Sequence, residues 1–362
     1  MPFMFERRLA ALRQLLEEQK LDAVIVTKFV NLHYFSGFRG DDTTLVISGD
    51  KAALVTDSRY TEQAARQAPL FEVIEQQDGL LAKTAETVKK FGCRKVGFEG
   101  NALVYDDFAR LTELLEGVEL KTPLKLDVLR EVKDAEEINC IRRACGIADA
   151  AFMDILNFIR PGVTELAVAA HLENCMREHG SEEPSFKTIV ASGLRGVLPH
   201  GVASEKIIEN GDLVTMDFGA MYQGYCSDMT RTVCVGTADG KQRRIYKAVL
   251  DAQELALTLI RPGASGKAID QASRDELAKH DLAQYFGHGL GHSLGLEIHE
   301  SPRLSKKSTC ESLVPGMLVT DEPGVYIPGW GGIRIEDTVL VTETGSEALI
   351  KSSKELIELK QV

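Results

Sequence analysis

Four carboxylates stand in two matching pairs of words. Thr215-x-Asp217-x-Gly219 recurs as Thr320-x-Glu322-x-Gly324, and Asp228-x-Thr230 recurs as Glu336-x-Thr338. In each copy the two words flank a short turn segment, which reads as an antiparallel hairpin. In the first, Leu213, Thr215, Asp217 and Gly219 alternate with Val214, Met216, Phe218 and Ala220, so Asp217 faces away from the apolar side. A two-residue turn centred between Tyr222 and Gln223 sets Asp217 directly opposite Asp228, and a turn centred on Gly329 sets Glu322 opposite Glu336. Opposed side chains have Cβ atoms ~5 Å apart, where two carboxylates repel unless a cation lies between them. A single Asp or Glu on a hairpin is ordinarily a solvated charge. Four in register across a duplication point instead to a pair of divalent ions bridged by shared carboxylates, ~3.5 to 4 Å apart.

An all-oxygen site suits Mg²⁺ or Ca²⁺, and a histidine ligand shifts the choice towards Mn²⁺, Co²⁺, Fe²⁺ or Zn²⁺. Candidates are His200, after Pro199, and His288, His292 and His299 within Phe286–Glu300. The spacing of His288 and His292 imitates a zinc-protease helix, but the intervening Gly289-Leu290-Gly291 lacks the catalytic glutamate and is poor helix material. The same glycines do not complete a dinucleotide fingerprint, because His292 stands where the third glycine belongs. No serine-nucleophile elbow forms at Ser192, which follows Val190-Ala191.

The elements that must position these residues fall into two domains. A helical pattern over Phe5–Glu18 precedes strand-like runs at 21–27, 43–48, 52–57, 71–76 and 95–100, with helices between some of them, which is an α/β domain. Around Pro123 the chain becomes charged, and Asp134 with Glu137 opens a long amphipathic helix through Ile138, Ile141, Ile155 and Ile159. The boundary lies between about 124 and 133, giving domains 1–127 and 128–362. Within the second domain, a helix ends in Ile159-Arg160-Pro161-Gly162 and another in Ile260-Arg261-Pro262-Gly263, while Leu213–Gly219 is matched by Leu318–Gly324. Two markers in the same order imply a duplicated helix-helix-hairpin unit, two halves about a pseudo-two-fold axis with a cleft between them.

Composition excludes several classes of function. The chain has 362 residues, 44% of them apolar and 27% charged, enough to bury a core in each domain. A net charge of −12 argues against a nucleic-acid backbone as main partner. The N-terminal stretch reaches charge by Glu6 without a long apolar core, so no signal peptide is expected, and no run has the ~18 to 20 apolar residues of a membrane span. Seven cysteines without a C-x-x-C pair fit a reducing cytoplasm better than a disulfide framework.

Taken together, these words resemble the aminopeptidase P and prolidase group of pita-bread metallopeptidases, within the creatinase and methionine aminopeptidase superfamily. The resemblance rests on Ser185-Phe186 through Ser192-Gly193 to Pro199-His200, Met216–Gly219 to Asp228–Arg231, His288–His292 to His299-Glu300, Glu322-Pro323-Gly324 and Arg334–Asp337. Tyr34–Phe38 and Asp57–Tyr60 resemble the creatinase-type N-terminal domain. The fold implied is a creatinase-type α/β domain followed by a pita-bread domain, α/β (α+β) in class.

The resemblance makes Asp217, Asp228, His292, Glu322 and Glu336 the ligands of two divalent ions per subunit, Mn²⁺ or Co²⁺ ahead of Zn²⁺ or Fe²⁺. It makes His200, His288 and His299 histidines that bind substrate or stabilise the reaction's intermediate, and gives Glu322 the proton transfer. The activity implied is hydrolysis of the bond between an N-terminal residue and a following proline, by a metal-bridging hydroxide, in a cytoplasmic homodimer that binds neither membrane nor nucleic acid. Arg303 resembles the prolidase arginine that holds a dipeptide's C-terminal carboxylate, whereas Phe35–Gly40 reads more like aminopeptidase P, and dipeptidase and aminopeptidase stay open. By strand parity Arg334 shares the face of Glu336, Tyr326 the face of Glu322 as a pocket residue, and Cys226 the face of Asp228 as an oxidisable thiol near the metals. Asp321, where relatives carry an uncharged residue, points away from Glu322. A non-catalytic peptide-binding module and a creatinase-like amidinohydrolase are the alternative readings, and both are expected to lack this ligand set.

Overall fold

A computed structural model of the protein describes residues 2–121 and 124–360. Pro123, which marks the domain boundary in the sequence, lies outside them. The chain forms two compact units, Met1–Arg130 and Glu131–Val362.

The first unit opens with α1 (Pro2–Glu18), then β1 (Ala23–Val26), α2 (Phe29–Ser36), β2 (Thr44–Ser48), β3 (Ala52–Thr56), α3 (Thr61–Gln67), β4 (Glu72–Glu75), α4 (Leu80–Phe91), β5 (Lys95–Phe98), α5 (Tyr105–Leu114) and β6 (Glu119–Lys121). The six strands form one mixed sheet in the order β4-β3-β2-β1-β5-β6. All four residues of β1 are buried, as befits a central strand covered on both faces. Ala85 and Val88 of α4 and Leu111 of α5 pack on Ala23, Ile25, Val46 and Val96 of the sheet. The five expected strands are present, and β6 is an addition: its Glu-Leu-Lys, exposed at both ends, has no apolar run to betray it.

The second unit starts at α6 (Ala135–Ile155), whose Asp134 cap accepts from the Glu136 and Glu137 amides while Glu137 accepts from the Asp134 amide, the capping box that the sequence predicts. This helix stops at Ile155, not at Ile159. Asn157 and Phe158 donate three residues back, to Asp154 and Ile155, so the chain winds down in tighter turns ahead of Pro161, which cannot continue a helix. Then come α7 (Glu165–Glu178), capped by the Thr164 hydroxyl, β7 (Ile189–Ser192), β8 (Leu213–Phe218), β9 (Met221–Tyr222), β10 (Tyr225–Cys226) and β11 (Met229–Val235). The second copy follows as α8 (Gly240–Leu259), α9 (Gly266–Ala278), β12 (Gly291–Ser293), β13 (Glu300–Leu304), β14 (Leu318–Asp321), β15 (Gly324–Ile327), β16 (Gly331–Arg334) and β17 (Asp337–Val341), with β18 (Ser346–Ala348) and β19 (Glu358–Leu359) closing the chain. The order helix pair then antiparallel ladder thus occurs twice, with β8 against β11 and β14 against β17.

Register decides where the carboxylates go, and the first hairpin departs from expectation by one residue. Tyr222 pairs with Tyr225 and Asp217 with Thr230, so the turn is Gln223-Gly224 rather than Tyr222-Gln223. Both turn residues have positive φ, +50° and +82°, the geometry whose twist matches that of the flanking strands. A turn one residue earlier would put Tyr222 in that region and leave Gly224 unused. Asp228 therefore stands diagonally from Asp217, two residues before Thr230. In the second hairpin Asp321 pairs with Asp337 and Gly324 with Arg334, which leaves Glu322 and Glu336 opposite one another as expected.

A side chain at Gly224 would be forced into left-handed backbone, so Gly224→Ala should cost about 1 to 2 kcal/mol, read as a lowered chemical-denaturation midpoint. An unchanged midpoint would mean that the turn lies elsewhere.

Candidate metal centre

Asp217 lies on β8, Asp228 just before β11, Glu322 between β14 and β15, and Glu336 between β16 and β17. The hairpins are stitched across the cleft by backbone and threonine. The Glu336 amide donates to the Thr230 carbonyl, the Thr338 hydroxyl to the Asp228 carbonyl at 2.8 Å, and the Thr232 hydroxyl to the Arg334 carbonyl. The fully buried Arg231 guanidinium adds bonds to the Thr230, Glu336, Ser352 and Ser353 carbonyls and to the Asp337 carboxylate.

As a result, carboxylate oxygens of Asp217, Asp228 and Glu336 lie within 4.8 Å of one another. Burial, then the neighbouring Glu336 and Asp217, push the Asp228 carboxyl well above the usual carboxylate range, and burial, then Glu322 and Asp217, do the same to Glu336. Burial, against the pull of Arg334, raises Glu322 to about 8. Buried Asp217 Oδ1 has no hydrogen-bond partner.

The His292 ring completes the set. Its Nδ1 is 3.1 Å from the Ser293 carbonyl oxygen, which can only accept, so the proton sits on Nδ1 and the Nε2 lone pair is free. That Nε2 is 3.6 Å from Asp228 Oδ2 and 3.5 Å from Glu322 Oε1. Burial, then His299, lower its pKa to about 3, which keeps the imidazole neutral and able to ligate. A neutral imidazole among four carboxylates, with an orphaned carboxylate oxygen, fits divalent cations and little else.

A cavity of about 570 Å³ opens on this cluster, lined among others by Phe186, Lys187, Ile189, His200, His288, His299 and Arg303. His299 packs edge-on against His292, with ring centroids 4.4 Å apart. His288 lines the cavity, but both its ring nitrogens are engaged, Nδ1 with the Gly289 carbonyl and Nε2 with the Tyr326 hydroxyl. Tyr326 is not on the cavity wall where parity places it. It sits behind, accepting from Arg334 at 2.6 Å and donating to His288, while Arg334 also pairs with Asp217 and bonds Thr230 Oγ1 and the Pro199 carbonyl. Arg303 lies exposed on the wall, its guanidinium without hydrogen bond or ion pair among the described residues. Cys226 is buried off the cavity, its thiol pushed up by burial and then by Glu300, which corrects its reading as an oxidisable group beside the metals. Asp321 is wholly buried opposite Asp337, turned from Glu322, and burial raises its carboxyl well above the usual range.

Sequence reasoning missed the hydroxyls that orient the ligands. Thr230 donates to Glu336 Oε2 at 2.6 Å, and Thr320 donates to Glu322 Oε1 while accepting from the His292 amide. Both belong to the repeated Thr-acid words, which was the available signal.

The profile of metallopeptidase family M24 matches residues 139–343, and that of the creatinase/prolidase N-terminal domain matches 8–132. The chain belongs to metallopeptidase family M24. It is 40% identical over 361 residues to the Xaa-Pro dipeptidase of Pyrococcus furiosus, covering 97% of this chain and 100% of that one. The solved structure of the Xaa-Pro dipeptidase from Bacillus anthracis matches with a TM-score of 0.95 and 44% identity, over 98% and 99% of the two chains. That of the X-Pro aminopeptidase from Thermotoga maritima matches with a TM-score of 0.89 and 36% identity, over 94% and 98%. The two units are thus the creatinase-like domain and the pita-bread domain of an M24 metallo-exopeptidase, a hydrolase that works with divalent metal ions. No helix among the described residues is long and apolar enough to cross a membrane.

Carboxyls raised by burial and mutual repulsion hold protons in the metal-free M24 site. Their contribution to stability is present at low pH and is lost as pH rises from the ordinary carboxylate range through about 8. Metal-loaded protein escapes that loss, so melting temperatures with and without metal should converge near pH 5 and differ by about 5 to 10 °C at pH 8 with metal at a hundredfold excess over Kd. Calorimetry at matched ionic strength checks this, and a gap that narrows with rising pH would contradict it.

Proposed function

We propose that this M24 peptidase hydrolyses the bond between an N-terminal residue and a following proline, with dipeptides as preferred substrates, using Asp217, Asp228, His292, Glu322 and Glu336 to hold two divalent ions, Mn²⁺ or Co²⁺ ahead of Zn²⁺ or Fe²⁺. The observation that carries the reading is the His292 lone pair aimed between Asp228 and Glu322 beside the Asp217, Asp228 and Glu336 cluster. Bound ions would acidify a water to serve as nucleophile and polarise the scissile carbonyl.

The remaining chemistry belongs to the chain. Glu322 is placed to accept a proton and return it to the departing proline nitrogen, which has no hydrogen of its own in the peptide. Thr320 fixes the Glu322 carboxylate, and His288 Nδ1 approaches its other oxygen at 3.9 Å. His299 and His200, exposed on the cavity wall, are the hydrogen-bond donors for the substrate carbonyl. Arg303, a fork without an ion-pair partner among the described residues, stands at the same wall and is suited to a dipeptide's terminal carboxylate, which favours the dipeptidase reading over aminopeptidase P. Seven free cysteines support a cytoplasmic setting, and a homodimer is proposed on the family resemblance alone.

After chelation and readdition of Mn²⁺, Co²⁺ or Zn²⁺, cleavage of Gly-Pro and Ala-Pro should exceed that of matched Xaa-Pro-Xaa-Xaa peptides. Preference for the longer peptide would make this an aminopeptidase P, and cleavage of neither would sink the reading. Arg303→Ala should raise KM for the dipeptide roughly tenfold to hundredfold, as for a lost charged hydrogen bond, with kcat little changed. Glu322→Gln should lower kcat by roughly 10² to 10⁴; full turnover at normal metal content would refute the proton-transfer role.

A further inference from the structure

One buried carboxylate outside the metal centre is tied to it by loop geometry. Glu165, the first residue of α7, is completely shielded from solvent, and among the described residues its carboxylate bonds to none of the candidate metal ligands. Its Oε1 accepts from the Ser192 amide at 2.7 Å and the Ser192 hydroxyl at 2.9 Å. Its Oε2 accepts from the Ser204 hydroxyl at 2.7 Å, the Ser204 amide at 3.2 Å and the Arg195 guanidinium. One side chain thus grips both ends of the segment between Ser192 and Ser204. Arg195 closes the interior by donating to the Val202 carbonyl at 2.9 Å.

That segment carries Pro199, His200 and Val202, which line the cavity. Its far side rests on the strand that leads to Glu336. The backbone of Gly196 packs directly on that of Gly332, so closely that a Cβ on Gly332 would collide with the Gly196 carbonyl, and Arg334 donates to the Pro199 carbonyl at 3.2 Å. The second half of the fold therefore supports the middle of the loop, and Glu165 joins its ends.

We propose that Glu165 is the positioning residue for His200: by clamping Ser192, Arg195 and Ser204 it sets the angle at which the His200 ring enters the substrate cavity. Through Pro199 and Val202 the same clamp shapes the wall beside Ile189. This rests on the Xaa-Pro hydrolase reading for its kinetic arm only.

Glu165→Gln keeps the volume and one accepting oxygen, but its amide nitrogen cannot accept, so the clamp loses one end, either the bonds from Ser192 or those from Arg195 and Ser204. It should lower kcat/KM for Ala-Pro roughly tenfold to hundredfold, the scale expected for a displaced binding group, with metal content unchanged. In a double-mutant cycle it should add little to His200→Ala. An additive pair, or an unchanged kcat/KM, overturns the proposal. Independently of turnover, in metal-free protein labelled with ¹³C-histidine, the ring signal that His200→Ala removes should shift or broaden in Glu165→Gln while that of His299 holds its place. An unmoved signal likewise overturns it. If wild type cleaves no Xaa-Pro bond, the hydrolase reading fails and the histidine spectrum still decides the role of Glu165. Should Glu165→Gln not fold, Arg195→Met, which frees the Arg195 end of the clamp alone, takes its place in both experiments.

Discussion

Everything in the second unit answers to one electrostatic constraint: carboxylates held closer together than carboxylates tolerate. Oxygens of Asp217, Asp228 and Glu336 fall within 4.8 Å of each other. At an effective dielectric constant near 20, two unit charges at that range repel by roughly 3 to 4 kcal/mol. Protons or cations must offset this, and a neutral His292 lone pair in the same cluster favours cations. The nearby guanidinium that pairs with a ligand, Arg334, binds one oxygen of Asp217 and leaves the other without a partner. That leaves the interior of the cluster to metal.

Holding such a cluster together takes a framework that cannot spread. Two hairpins provide it, because strand ladders fix side-chain positions by register and neighbouring hairpins can be bonded edge to edge. Arg231 is the clearest device: a buried cation whose donors go to four carbonyls and to Asp337, it joins β11 to the Glu336–Asp337 corner and to the chain after β18. A buried ion pair with every donor used gives geometric definition more surely than net stability. Thr230 and Thr320 then orient individual carboxylate oxygens, as outer partners do in metal sites generally. The Glu165 clamp applies the same logic to the loop that carries His200.

Much of this is legible from residue types because the duplication writes it twice. The Thr-acid words locate all four carboxylates, and the glycine-rich segment at 328–332 places the second turn correctly. The first turn differs by one residue from its expected place because alternation alone permits either centre, and only the left-handed backbone at Gln223-Gly224 decides. The helix end at Ile155 escapes the pattern because Ile159 stays buried and keeps the apolar period after the helix has ended. Strand parity assigns Tyr326 to the cavity, but parity counts faces within one strand and says nothing of a histidine from another loop standing in front. Glu165 is invisible for a similar reason: its partners Ser192, Arg195 and Ser204 come from a segment 27 to 39 positions away, and no local pattern announces them.

The distribution of cations suits the proposed dipeptide substrate, whose terminal carboxylate would have to be held beside such an acidic centre. Arginines near the ligands are already matched, Arg334 with Asp217 and Arg231 with Asp337, so their fields are largely cancelled at close range. Arg303 and Lys187 on the cavity wall have no such partner among the described residues and remain exposed to solvent. An unpaired charge at a wet wall costs little in desolvation, whereas in the buried cluster it would cost several kcal/mol. Two divalent ions held by the four carboxylates would balance them, and the surplus charge in the cavity would then be positive and lie on its walls. A peptide whose free carboxylate falls one residue beyond the scissile bond meets that field at short range, and a longer chain carries its carboxylate past it. The proposed preference for dipeptides is supported by the position of these two cations, which have no ion-pair partner among the described residues.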